Sequence, residues 1–198
     1  QLDLVDDDQA DRAAELLAGV PATSMSKPDR EAFLRAAAEF QAAQRLNADR
    51  PEARAALGNF AARQGNIGEA EAEYRAALRL DPFFAAAAIN LADLYWGQGR
   101  DADGERVLRE AVATSMQDGS LHHALGLTLV RLRRSDAALE ELRRAAELEP
   151  ERARFAYVYA VALQSAGRRN DAIGVLKANL QRHPGDRDSL VAMINFSR

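Results

Sequence analysis

Residues 51–82 read PEARAALGNFAARQGNIGEAEAEYRAALRLDP, and the same skeleton returns three more times. Units of 34 residues run from Pro51 to Phe84, Ala85 to Asp118, Gly119 to Arg152 and Ala153 to Asp186. In this register Leu57, Leu91, Leu125 and Tyr159 share one column. The next column holds only small residues: Gly58, Ala92, Gly126 and Ala160. Further along, Ala70, Gly104, Ala138 and Ala172 align, then Tyr74, Leu108, Leu142 and Leu176, then Ala77, Ala111, Ala145 and Asn179. Asp81-Pro82, Glu149-Pro150 and His183-Pro184 close three of the units. A fixed period in this range marks a stacked array of one supersecondary unit.

Within a unit the apolar residues recur three or four apart, as in Leu121, Leu125 and Leu129, which places one stripe along an amphipathic helix. Gly65, Gly99 and Gly167 mark breaks, because glycine adopts positive φ freely and ends a helix there. A second helix follows each break, and the small-residue columns let the two backbones approach to roughly 8 Å. Proline is expected in the first helical turn of the following unit. Each pair leaves an apolar face that only its neighbour covers, so the pairs stand or fall together.

These columns resemble the tetratricopeptide repeat over residues 51 to 184, with 51 to 82 matching most closely. The resemblance implies an all-α fold: a right-handed superhelical solenoid of antiparallel helix pairs. The chain departs from the family where tryptophan is frequent, with Arg54, Ala88, His122 and Ala156, and where proline and alanine are usual, with Met116 and Asn179.

Upstream, Ala36, Phe40, Ala43 and Leu46 continue the second-helix columns, but Gly19, Pro21 and Pro28 interrupt what precedes them. The expected organisation is a helix over Asp6–Ala18 and a linker over Gly19–Ser26 within 1–26. A capping helix over Lys27–Leu46 within 27–50, four repeats over 51–184 and a capping helix over 186–198 follow. Asp186 or Asp188 would cap that last helix, with Leu190, Met193 and Ile194 turned toward the last repeat. The absence of an initiating methionine reads as a piece cut from a longer chain. The stretch AELLAGVP at Glu15–Pro21 and the sequence after it resemble the junction before the C-terminal repeat tail of bacterial multihaem cytochromes with HEAT-type repeats. That resemblance implies a haem-binding part upstream and an extracytoplasmic, periplasmic setting; without it the compartment is open, with the cytoplasm as default.

Composition excludes several classes. The chain has 47% hydrophobic and 28% charged residues, net charge −4 and no cysteine, so disulfides, zinc thiolates and covalent haem attachment are absent from it. Its longest uncharged run, Phe155–Gly167, is short of the roughly 20 residues of a membrane span. Adjacent His122 and His123 point about 100° apart on a helix and do not share a metal. No nucleophile elbow, dinucleotide loop or calcium loop is present. No cofactor and no enzymatic activity are expected, and an acidic chain speaks against nucleic acid.

What remains is a wall for a protein or peptide partner. In the resembling family the first helix of each unit lines the concave face, which here takes in Asn59, Arg63, Asn90, Asp93 and Trp96. It continues through His123, Leu127, Val130, Arg131, Tyr157 and Val161. Asn59 and Asn90 match asparagines that hold a peptide backbone in many members; an amide donates and accepts together. A terminal-carboxylate clamp is not expected, since its basic positions hold Ala55, Ser120 and Ala124. Residues 1–118 carry 13 basic and 21 acidic groups, whereas 119–184 carry 11 and 7. Arg100, Arg134 and Arg168 recur at the period and are expected along one edge, where an anionic partner would be steered or water simply met. Apolar solenoid ends offer a route to self-association.

Overall fold

The computed structural model describes residues 26–197; the helix expected over Asp6–Ala18 and the linker after it, apart from Ser26, lie outside them. Among the described residues there are ten helices and no strand. They are α1 (Lys27–Leu46), α2 (Pro51–Arg63), α3 (Ile67–Leu80), α4 (Ala85–Trp96), α5 (Asp101–Thr114), α6 (Gly119–Arg131), α7 (Ser135–Leu148), α8 (Ala153–Ser165), α9 (Arg169–Arg182) and α10 (Arg187–Phe196). The fold is all-α and built of paired helices, as the period requires.

Two recurring turns punctuate it. The break inside each repeat closes with paired bonds, as in Gly65 N–H to Ala62 O and Asn66 N–H to Ala61 O. The same pair recurs at Gly99/Arg100, Arg133/Arg134 and Gly167/Arg168, the arrangement of a Schellman cap. The residue that must turn left-handed is Gly65 (φ 77°), Gly99 (φ 70°) and Gly167 (φ 77°), but in the third repeat it is Arg133 (φ 58°). The turn between repeats is a hydrogen-bonded four-residue turn, for example Phe84 N–H to Asp81 O at 3.2 Å and Arg152 N–H to Glu149 O at 3.0 Å. Pro82, Pro150 and Pro184 therefore sit at the second position of that turn, not in the first helical turn as expected. Their fixed φ suits that position, and the N–H they lack is not needed there. Met116 takes the same place in the turn that Asp118 N–H and Ser115 O close.

The described residues form two compact units, divided between residues 94 and 95. In the first, α1 packs on α2 through Phe40 and Phe60, whose ring centroids are 5.5 Å apart, together with Ala37. Gly58 lies against the ring of Tyr74 so closely that a Cβ would come within 2.7 Å of it. Ala55, Ala77 and Ala87 join α2, α3 and α4. In the second unit α5 to α9 pack in sequence, and α10 lies on both α8 and α9. Here Gly126 meets Leu142 as Gly58 meets Tyr74. Leu139, Ala160, Leu163, Leu176 and Ala192 form the core at the C-terminal end.

The fourth position of each repeat follows a pattern of its own. Arg54 donates from Nε to the Ala48 carbonyl at 2.9 Å and from Nη1 to the Glu73 carboxylate at 3.0 Å. At the equivalent place two repeats on, His122 Nε2 bonds the Met116 carbonyl at 3.1 Å and Nδ1 lies 2.6 Å from Glu141. Both side chains tie the inter-repeat turn to the second helix. The other two repeats hold Ala88 and Ala156 at this position and Val107 and Val175 in place of the glutamates.

Asp186 caps α10, accepting from Ser189 N–H at 3.1 Å. The face this helix buries differs from expectation: Ser189, Ala192, Met193 and Phe196 pack inward, whereas Leu190 and Ile194 are 43% and 56% exposed. The cause is Asn179, buried where the other repeats have alanine. Its amide donates to Ser189 Oγ at 2.8 Å and to the Ala153 carbonyl at 3.2 Å, and Ser189 must face inward to accept.

Candidate binding faces

In the first unit α2 carries Asn59 and Arg63 one turn apart, and α4 carries Asn90 and Asp93. Asn59 Oδ1 accepts two bonds, from the Tyr74 hydroxyl at 2.7 Å and from Asn90 Nδ2 at 2.8 Å. The structure thus brings the two asparagines into one pair and fixes their orientation. Asn59 keeps its amide donor and Asn90 its amide acceptor unengaged among the described residues. Burial pushes the Tyr74 phenol up to about 12, against the pull of Arg63 and with the push of Asp93. It therefore stays a donor at neutral pH. This tyrosine reads from the sequence as packing alone; the signal was its hydroxyl, which Leu108, Leu142 and Leu176 lack in the same column.

In the second unit Trp96 is 54% exposed and carries the Arg131 guanidinium 5.0 Å from its ring centre. Arg131 is held in turn by Asp101 at 2.7 Å and by the Thr128 hydroxyl at 3.0 Å. It braces the indole and carries little free charge. Leu127, Val130 and Val161 line one apolar cavity of about 190 Å³ with Val158, Leu139, Leu142, Ser135 and others from α6, α7 and α8. The second-helix members of that lining escape a reading that assigns the wall to first helices alone.

His123 and Tyr157 do not line it. Tyr157 packs against the core that α7 to α10 share. His123 stacks on Phe155, with ring centroids 4.4 Å apart and planes 20° from parallel. Its Nδ1 is buried without a hydrogen-bond partner among the described residues. Burial first, then the charges of Arg154 and Arg152, bring its imidazole down to about 4, so the ring is neutral at pH 7.

The arginine column proves to be paired. Arg100 and Arg168 bond Asp103 and Asp171, each at 2.8 Å, and Arg134 reaches Glu105 at 2.7 Å. Each precedes a second helix as its cap residue without a side-chain cap bond. Among the described residues no group of three His, Asp or Glu side chains is placed to hold a metal, and no helix is long and apolar enough to cross a membrane.

A family model of the tetratricopeptide repeat matches residues 29–83, 56–119 and 123–187, so the match begins inside α1, upstream of Pro51. Among solved structures the chain is similar to TTC0263, a thermophilic TPR protein in Thermus thermophilus. The TM-score is 0.67 at 21% identity, over 96% of this chain and 98% of that one. It is similar to YrrB, a TPR protein with an unusual peptide-binding site, with a TM-score of 0.60 at 24% identity over 79% and 81%. MamA of Desulfovibrio magneticus RS-1 gives 0.60 at 17% over 90% and 97%. At these identities the likeness is one of fold. No curated protein matches the chain.

Proposed function

Because this chain belongs to the tetratricopeptide repeat family, we propose that it is a non-catalytic scaffold holding a peptide or helical segment of a partner protein against the first helices of its repeats. The observation that carries this reading is the Asn59–Asn90 pair. Tyr74 holds it in one orientation, and it offers one amide donor and one amide acceptor. A peptide backbone has the complementary groups at every residue, so such a pair grips a chain whatever its side chains. Preorganisation by a buried phenol lowers the ordering cost of binding. That YrrB is described as having a peptide-binding site fits the same use of the fold.

Selection of random 12-residue peptides by display against the full chain tests it. Peptides are expected to be enriched over a heat-denatured control. Those held at the amide pair should lose about tenfold in affinity in the Asn90→Ala variant, by similar factors across sequences, while the thermal midpoint barely moves because the Tyr74–Asn59 bond stays in place. No enrichment would end the reading. A second reading, self-association, rests on the exposed Leu190, Val191 and Ile194 of α10; light scattering that finds only monomer up to high concentration refutes it.

A further inference from the structure

Resting on the scaffold reading, we infer that the cavity between α6, α7 and α8 is an anchor site for one bulky aliphatic or aromatic side chain of an acidic partner segment, with Arg133 at its rim meeting the partner's carboxylate. At about 190 Å³ the cavity is smaller than the roughly 300–1,000 Å³ of a small-molecule site, so it suits one or two side chains. Val130 and Val161 on its wall remain partly open to solvent. An apolar pocket with exposed walls is where interface anchors collect their affinity.

Charge decides the occupant. The cavity includes Ser135 at the start of α7 and Ser165 and Ala166 at the end of α8. The chain on either side of these residues, 131–136 and 165–171, holds five arginines against Asp136 and Asp171. Arg131, Arg134 and Arg168 are paired with Asp101, Glu105 and Asp171, Glu105 being shared with Arg109. Arg133 is exposed and makes no ion pair among the described residues, and Arg169 reaches only the Phe196 carbonyl. A segment bearing carboxylates beside its apolar anchor therefore complements this rim, and a basic one is repelled.

The backbone gives an independent reason to look at Arg133. It occupies the one left-handed cap position that the other three repeats give to glycine. The strain of a side chain there is removed by a single substitution, so Arg133→Gly separates stability from binding. A residue of structural value alone would improve or leave both; a binding residue moves them in opposite directions.

The test uses the full chain and the display selection above, with affinities of enriched peptides measured by fluorescence anisotropy. Acidic peptides with one large apolar residue should dominate. Their affinity should fall about tenfold in Val161→Asp and again in Val130→Asp, two substitutions at exposed positions. It should fall about threefold in Arg133→Gly, whose urea midpoint rises. Neutral or basic consensus peptides, or affinities indifferent to both valine variants, overturn this inference and leave the scaffold reading standing. Absence of any enriched peptide overturns both.

Discussion

In the first repeat Arg54 ties the Ala48 carbonyl to Glu73 and Gly58 lies under Tyr74. In the third, His122 ties the Met116 carbonyl to Glu141 and Gly126 lies under Leu142. The inward wiring is the same by position and by function, although arginine and histidine share little chemistry beyond nitrogen donors. The outward column is not: Asn59 of the first repeat becomes Leu127 of the third. Inward columns answer to the neighbouring helix, which every repeat has. Outward columns answer to something the chain does not contain, and there the two repeats diverge, one toward an amide pair and one toward an apolar cavity.

The largest expected effect comes from overfilling the shared glycine. Gly126→Val drives a branched side chain into Leu142, and also toward the Leu142 backbone nitrogen, which even a Cβ would approach to 3.3 Å. A loss of about 3 kcal/mol is expected by urea denaturation. Gly58→Val should cost less, because the three atoms nearest its Cβ all belong to the Tyr74 ring and none to backbone.

Next come the two ties. His122→Ala leaves a carbonyl and a half-buried carboxylate unpaired and should cost about 2 kcal/mol. Arg54→Ala should cost about 1 kcal/mol, because that pair is wetter. Equal losses would mean that burial does not set the strength of this contact.

Arg133→Gly reverses the sign. Relief of the left-handed arginine should add about 1 kcal/mol, read as a rise in the thermal midpoint.

At neutral pH the smallest effect is that of His123, whose titration acts only in acid. His123 titrates near 4 when folded and near its ordinary 6.5 when unfolded, so the unfolded chain takes up the proton first. Its contribution is intact above pH 6.5 and fades as pH falls toward 4. His123→Phe, which keeps the stack on Phe155, should flatten this part of the stability profile. An unchanged profile would show that the ring is not desolvated.

Much of this was legible in the columns. The helix pairs, the small-residue contacts and the break at every 34th residue follow from residue type at fixed spacing. The left-handed turn of the third repeat was legible too, by position, although arginine there hides it from a search for glycine. The ties of Arg54 and His122 were not, since two different residues at one position look like loss of a family tryptophan until their shared acceptors are seen. Nor was the face of α10, where Leu190 and Ile194 are the apolar residues yet Asn179 pulls Ser189 inward.

The sequence by itself determined the repeat, its two turns and the residues that face the neighbouring helix, because helical period and backbone sterics act locally and recur identically. Only the tertiary structure decided which outward residues act together. Asn59 meets Asn90 and Tyr74, and the Leu127–Val130 pair of α6 meets Val161 of α8, across different helices, at distances that no spacing along the chain encodes.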